Sequence, residues 1–217
     1  MWKEIMWSQT LEREGEPVLE LSMVLPEPEG SGPGAVRLAR YYRRLGELWR
    51  VRWSALLYPR ACAALEEARA GSRPFQPWRG ALTHRVTWTG GRYTSLYVDV
   101  TEARGRSRPL TVRSSGTWRV RCGTPVALPE VLPSRKNWRR WVLEMVRRQV
   151  WERLEGGESL LYPDAAERVA AQFSPRRFYL TEEGPVLFYP MYALGAPADG
   201  LPVFSLAEGE AAPPDGA

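Results

Sequence analysis

The chain has 217 residues, of which 44% are hydrophobic and ten are tryptophan, so it holds enough apolar material for one large domain or two small ones. Its charged fraction of 25% is ordinary for a folded protein and excludes a wholly disordered chain. The net charge is +5, and arginine carries almost all of the positive charge, because only Lys3 and Lys136 are lysines. Guanidinium groups suit phosphate and carboxylate partners, but a GC-rich genome, which favours arginine, alanine, glycine and proline codons together, explains the same composition.

The hydropathy pattern and the N-terminal sequence bear on location. No run of 18 apolar residues is present, and residues 1–14 lack the apolar centre of a signal peptide. We therefore expect a cytoplasmic protein, with an extracytoplasmic location as the alternative if an N-terminal leader or anchor has been removed.

The first 70 residues predict a β-hairpin followed by a helix. Residues 2–12 and 17–25 are typical of two strands around a Gly-Glu-Pro turn. Apolar residues then recur every three or four positions from 35 to 58, which predicts a helix with one buried face. Pro59 should kink or interrupt this helix, which resumes over 61–70 and stops at a glycine.

The middle of the chain predicts an antiparallel meander. Apolar and polar residues alternate over 82–88, and the Gly90-Gly91 turn signal leads to a return strand over 93–100. A further strand pair, 110–113 and 117–122, follows a charged loop.

The last third predicts helices and then short strands. Ser134 is placed to cap a helix over 135–154, and a short helix follows over 164–172. Strand-like runs lie at 178–181, 186–189 and 203–206. The whole chain is thus predicted to be α+β, with antiparallel β-sheets packed with two main α-helices. We expect an N-terminal half over 1–103, a C-terminal half over 104–206 and a disordered acidic tail over 207–217.

Few residues suggest catalysis or a metal site. The single histidine, His84, lies among apolar neighbours in a predicted strand, so we expect it to be structural. Cys62 and Cys122 lie far apart, lack metal-ligand spacing and are expected to be buried thiols. The acidic pairs Glu66-Glu67 and Glu182-Glu183 leave a glycan-active enzyme as a weak alternative, but neighbouring side chains point in different directions.

The helix predicted over 135–154 has a basic outer face. Arg139, Arg140, Arg147 and Arg148 lie on it, and Glu144 and Glu152 dilute its charge. The four arginines make nucleic-acid association the alternative from another functional class.

The stretch from Phe173 to Leu206 is the most patterned part of the chain. Its motifs are Phe173-Ser174-Pro175, Phe178-Tyr179-Leu180-Thr181, Gly184, Val186, Phe188, Pro190-x-Tyr192, Gly200-x-Pro202 and Phe204. With these motifs it resembles the C-terminal domain of RsiV-type proteins, the DUF3298 family. The strand pair over 83–100 resembles the end of the accompanying DUF4163-type domain, which is shared with PdaC-type peptidoglycan deacetylases.

This resemblance implies an α+β fold and a binding or sensing role. Some members are membrane-anchored anti-sigma factors that bind lysozyme, and recognition is associated with the loop carrying the Pro-x-Tyr element. The resemblance therefore makes Pro190, Met191 and Tyr192 candidate ligand contacts. Family members often have a Gly-Gly-Ala-His-Gly-like loop where this chain has 104–109, which contains no histidine, and we include Ser107 there as a candidate contact.

We expect a non-enzymatic binding domain whose partner is a protein or a cell-wall glycan, with no cofactor and no metal. No anchor or sigma-binding segment is recognisable, so a complete anti-sigma factor is not expected. Animal lysozyme is strongly basic and this chain is basic too, so like charge disfavours lysozyme as the partner.

Overall fold

The computed structural model describes residues 2–132, 136–157 and 160–207. The chain forms two compact units, Met1–Pro125 and Val126–Ala217. The division falls after Pro125 rather than at the expected position 103, because residues 110–119 form a strand that pairs with the sheet of the first unit.

The first unit contains one five-stranded sheet and a long interrupted helix. Its elements are β1 (Trp2–Arg13), β2 (Glu16–Pro28), α1 (Pro33–Arg52), a π-helical turn (Trp53–Leu57), α2 (Tyr58–Ala70), β3 (Trp78–Gly90), β4 (Tyr93–Ala103) and β5 (Leu110–Arg119). The strands lie in the order β1-β2-β3-β4-β5. The predicted hairpin and helices are present, and β3, β4 and β5 form the predicted meander. The strand pair predicted over 110–113 and 117–122 was wrong, because residues 114–116 pair with β4 and β5 runs through them as one strand.

One strand pair departs from the predicted antiparallel arrangement. β2 and β3 are parallel, with Leu19 opposite Trp78 and Met23 opposite Leu82. Parallel neighbours need a crossover connection, and α1 and α2 supply it between these two strands. The α+β class is confirmed, and this sheet is mixed rather than wholly antiparallel.

The core of the first unit lies between the sheet and the helices. α1 contributes Leu38 and Tyr42, and the π-helical turn contributes the fully buried Trp53. The buried core residues are Val18, Leu19, Leu21, Met23, Leu25, Leu38, Tyr42, Trp53, Leu57, Ala61, Cys62, Leu65, Leu82, Leu96, Val98, Val100 and Trp118.

The interruption expected at Pro59 takes the form of the π-helical turn. The backbone N–H of Tyr58 donates to the carbonyl of Trp53, one residue further back than in an α-helix. The helical backbone continues through this turn into α2, so Pro59, which has no N–H to donate, lies directly after the change in hydrogen-bond pattern. The widened turn keeps both Trp53 and Leu57 buried, and the Trp53 Nε1 donates to Glu102 Oε1 at 3.2 Å.

Two glycines bring α1 against the turn that follows β5. A Cβ on Gly34 would overlap the carbonyl oxygen of Val120, and a Cβ on Gly123 would lie 2.8 Å from the carbonyl oxygen of Gly34. Gly123 also has a φ of 64°, which favours glycine. The two backbones therefore approach more closely than any side chain allows.

The second unit contains helices and a three-stranded antiparallel sheet in the order β6-β7-β8. Its elements are α3 (Leu128–Val131), α4 (Trp138–Gly156), α5 (Ala165–Gln172), β6 (Phe178–Thr181), β7 (Gly184–Phe188), a 3₁₀ turn (Pro197–Asp199) and β8 (Val203–Ser205). The predicted cap Ser134 and helix start at Arg135 lie outside the described residues, as do residues 208–217 of the predicted tail.

Side chains of α4 take the place of a fourth strand beside β8. Gln149 Nε2 donates to the carbonyl of Ser205 at 2.7 Å, and the Ser205 N–H donates to Gln149 Oε1 at 3.2 Å. Arg153 donates to the carbonyl of Val203 at 2.8 Å and lies 4.6 Å from the centre of the Phe204 ring. The outer edge of β8 is therefore covered by α4.

The close approach at Gly34 predicts a large cost for one methyl group. Gly34→Ala should lower the free energy of unfolding of the first unit by about 1–3 kcal/mol, because the obstacle is backbone. Urea denaturation followed by circular dichroism measures the change. Gly156→Ala is the control, since no atom lies within 4 Å of its new Cβ, and it should be neutral or stabilising. Equal effects of both substitutions would contradict the packing argument.

Candidate functional site

The candidate contacts Pro190, Met191 and Tyr192 form, with Ala193, one tight turn in the second unit, which we call the Tyr192 turn. The turn follows β7, and the N–H of Ala193 donates to the carbonyl of Pro190 at 3.1 Å. Tyr192, the third residue of the turn, has a φ of 65°. This is the position at which a type II turn normally requires glycine or asparagine.

The residues before the turn are fixed by the core of the second unit. Tyr189 is 1% exposed, and its ring packs edge-on against Phe204 with the centroids 5.7 Å apart. Its hydroxyl donates to the carbonyl of Val169 at 3.2 Å, and its N–H donates to the carbonyl of Pro202 at 2.9 Å. Burial raises the pKa of Tyr189, so this hydroxyl stays neutral and remains a donor.

The residues after the turn are fixed by the segment at 160–162. The N–H of Tyr162 donates to the carbonyl of Leu194 at 2.8 Å, and the N–H of Ala196 donates to the carbonyl of Leu160 at 2.9 Å. A Cβ on Gly195 would lie 2.8 Å from that carbonyl oxygen, so the contact requires glycine. Sequence reasoning missed this anchor, and Gly195 within a run of small residues was its only signal.

The turn presents Tyr192 to solvent. Its side chain is 48% exposed, whereas Ala193 and Leu194 next to it are buried and Pro190 and Met191 are partly buried. The structure thus combines a rigid base with one exposed aromatic residue in a backbone conformation that costs free energy for a non-glycine residue.

Ser107, the fourth candidate contact, belongs to the first unit. It is exposed in the turn between β4 and β5, and its N–H donates to the carbonyl of Arg104 at 3.0 Å. It therefore stays a separate candidate from the Tyr192 turn.

The four arginines proposed for nucleic-acid binding lie on α4, and two of them are paired with acids. Arg140 Nε lies 2.8 Å from Glu144 Oε1, and Arg148 Nε lies 3.7 Å from Glu152 Oε1. The guanidinium of Arg139 lies 5.5 Å from the centre of the Phe173 ring. A groove of about 570 Å³ at the start of α4 is lined by Lys136, Arg139, Arg140 and Arg147, with Trp138 and Leu143 as its apolar part. Nucleic-acid association stays a prediction.

The other residues singled out from the sequence have structural surroundings. His84 is partly buried, and its Nδ1 donates to the carbonyl of Val24 at 2.9 Å. Glu66 is ion-paired with Arg13 at 3.3 Å, and a hydrogen bond from the Thr181 hydroxyl lowers the pKa of Glu183. Among the residues that the structure describes, no group of three or more potential metal ligands occurs. In the same part of the chain, no helix is both long and apolar enough to cross a membrane.

The cysteines differ from each other. Cys62 is buried as expected, but the expectation was wrong for Cys122, which is partly exposed in the turn after β5. The hydroxyl and backbone N–H of Thr124 hydrogen bond to the Cys122 sulfur, with Sγ and Oγ1 3.0 Å apart. These bonds, with smaller contributions from Arg119 and Arg37, lower the pKa of the Cys122 thiol.

Comparison with known proteins identifies the fold. No family model and no curated protein matches the sequence. Solved structures do match, among them a DUF3298 family member from Bacteroides fragilis NCTC 9343, with 13% identity and a TM-score of 0.61, and a DUF3298 family protein from Pseudomonas aeruginosa PAO1, with 15% identity and a TM-score of 0.59. Each alignment covers 95% of this chain and 90% of the other. The chain has a DUF3298-type fold.

This result confirms the DUF3298 part of the resemblance seen in residues 173–206. The RsiV-type and DUF4163-type parts stay predictions. In the DUF3298-type fold of this chain, the Pro-x-Tyr motif forms the Tyr192 turn, and the Phe178–Thr181 motif forms β6.

The backbone conformation of Tyr192 predicts a stabilising substitution. Tyr192→Asn should raise the free energy of unfolding of the second unit by about 0.5–1 kcal/mol, because asparagine tolerates a positive φ. Tyr192→Val, which is β-branched, should lower it, and thermal unfolding of the two variants compares them directly. Equal stability of the asparagine and valine variants would show that the turn relaxes at no cost.

The surroundings of Cys122 predict selective alkylation. Cys122 should react with iodoacetamide faster than the buried Cys62 at neutral pH. Because its pKa is lowered, the thiolate persists as the pH falls, and the rate should reach half its maximum below the ordinary thiol value of about 8.5. Thr124→Val removes the hydroxyl and should move that midpoint upward. Mass spectrometry of each cysteine peptide follows both rates, and an unchanged midpoint in Thr124→Val would refute the role of the hydroxyl.

Proposed function

We propose that this chain is a non-catalytic binding domain that recognises a protein partner through the Tyr192 turn. One observation carries the proposal: Tyr192 is half exposed and held at a positive φ by a turn whose two flanks are both hydrogen-bonded into the second unit. Such strain persists only where the surrounding structure enforces it, and it is concentrated at functional positions.

The physical advantage of the arrangement is preorganisation. A tyrosine side chain offers a large contact area with only two rotatable bonds, so little conformational entropy is lost when it is immobilised. Here the backbone beneath it is already fixed, since Tyr189 and Leu194 on either side are almost fully buried. Tyrosine is also among the residues that most often dominate the binding energy of an interface.

The chemistry of the turn indicates what the partner must offer. A projecting ring with a hydroxyl at its tip fits an apolar pocket that has a hydrogen-bond acceptor or water at its end. The net charge of +5 favours approach to an acidic surface. Lysozyme, which is basic, is therefore a less favourable partner than an acidic protein, and a cell-wall glycan stacked on Tyr192 is the alternative ligand.

Binding measurements with a matched pair of variants test the proposal. Isothermal titration calorimetry against a panel of lysozymes, acidic proteins and soluble cell-wall fragments identifies a ligand. For a protein ligand, Tyr192→Ala should cost about 2 kcal/mol or more, roughly 30-fold in Kd. Trp151→Ala is the control, because Trp151 is 54% exposed on α4 and lies outside the turn.

The outcomes separate the hypotheses. Loss of binding in Tyr192→Ala with retention in Trp151→Ala supports the proposal. If Tyr192→Ala loses affinity for the cell-wall fragments and for no protein, the turn is a glycan-binding site, which is the alternative hypothesis. Equal affinity of wild type and Tyr192→Ala, or no binding across the panel, would refute it.

A further inference from the structure

An open groove in the first unit joins two segments that are distant in sequence. Its volume is about 380 Å³, near the lower end of the range for small-ligand sites. The small side chains of Ala64 and Ala68 on α2 line one part of it, and residues 73–76, Trp78 and the turn at 105–106 line the rest. Sequence reasoning marked 104–109 as a charged loop but had no signal that joined it to residues 73–78.

The groove combines aromatic rings with positive charge. Phe75 and Trp78 line it, and both are partly buried against the core. Arg73 and Arg106 also line it, and the guanidinium of Arg104 lies 5.5 Å from the centre of the Trp78 ring. None of the lining residues in the described part of the chain is acidic, so no carboxylate that lines the groove offsets the charge of Arg73 and Arg106.

The backbone on both sides of the groove is fixed. The N–H of Arg73 donates to the carbonyl of Ala68 at 2.8 Å, and Ser72 before it has a φ of 48°. Across the groove, Gly105 has a φ of 57°, and a Cβ on it would lie 3.6 Å from the carbonyl oxygen of Gln76. The backbone positions from which Arg73 and Arg106 project are therefore fixed on both sides of the groove.

We propose that this groove binds an acidic sugar, a pyranose ring that carries a carboxylate. The forked guanidinium groups of Arg73 and Arg106 match a carboxylate in charge and in geometry. The rings of Phe75 and Trp78 offer the apolar surface against which the C–H face of a pyranose packs. The Gln76 amide adds a donor and an acceptor for ring hydroxyls.

The open shape of the groove favours a sugar within a chain over a nucleotide. A flat base reaches its strongest stacking when both of its faces are covered, whereas an oligosaccharide continues past each end of an open groove. This site is independent of the Tyr192 turn, and it is tested without any assumption about the protein partner proposed above.

Calorimetric titration with three probes of similar size tests the proposal. The probes are a disaccharide of glucuronic acid and N-acetylglucosamine, the neutral disaccharide N,N′-diacetylchitobiose, and uridine monophosphate. The acidic disaccharide should bind at least about tenfold more tightly than the neutral one, and added salt should weaken it. Combining Arg73→Ala with Arg106→Ala should reduce its affinity at least about tenfold.

Arg108→Ala is the matched control, because Arg108 is exposed in the same loop but does not line the groove. It should leave the affinity for the acidic disaccharide unchanged. Three results would overturn the proposal: equal binding of the neutral disaccharide, binding of uridine monophosphate in preference to the acidic disaccharide, or no binding of any probe. Thermal unfolding of each variant shows that a lost affinity is not a lost fold.

Discussion

The hydrogen bond between Trp118 and Tyr42 fixes where α1 lies on the first sheet. The Trp118 Nε1 donates to the Tyr42 hydroxyl at 2.9 Å, and both side chains are buried although they are 76 positions apart in sequence. A buried polar group without a partner costs free energy, so α1 cannot shift along the sheet without leaving both groups unsatisfied. The close approach of Gly34 to Val120 depends on the same register. Burial also raises the pKa of Tyr42, which keeps its hydroxyl neutral.

In the second unit, the stabilising feature is the covering of the open edge of a short strand. β8 has only three residues and pairs with β7 on one side. On its other side Gln149 both donates to and accepts from the backbone of Ser205, as a neighbouring strand would. Arg153 donates a hydrogen bond to the carbonyl of Val203. Burial penalises the charged guanidinium of Arg153 and lowers its pKa, and the Val203 carbonyl and the Phe204 ring are the contacts that offset this penalty. The positive charge of α4 therefore has two roles, and only its outer arginines are available to a ligand.

Local patterns in the sequence were sufficient for most of the elements and for the α+β class. Alternation over 82–88 and the Gly90-Gly91 signal predicted β3 and its turn, because side-chain period and turn chemistry act over a few residues. The parallel pairing of β2 with β3 was missed, since it depends on where a crossover helix packs rather than on either strand's own sequence. The groove beside Trp78 was missed for the same reason: the contact of Gly105 with Gln76 exists only once the sheet has formed.

The energetics of folding alone do not account for the side chain at Tyr192. Among the residues that the structure describes, three non-glycine residues have a positive φ, and two of them have a clear structural reason. Glu14 gains an ion pair with Arg69 at 2.8 Å, and Ser72 is small and lies at the end of a helix. In the described part of the chain, none of the hydrogen bonds involves the Tyr192 hydroxyl, and the ring is half exposed, so little burial offsets a conformational cost of about 1 kcal/mol. We propose that contact with a ligand, rather than folding stability, accounts for the tyrosine at this position, so this turn is a stronger candidate for recognition than the more highly charged α4.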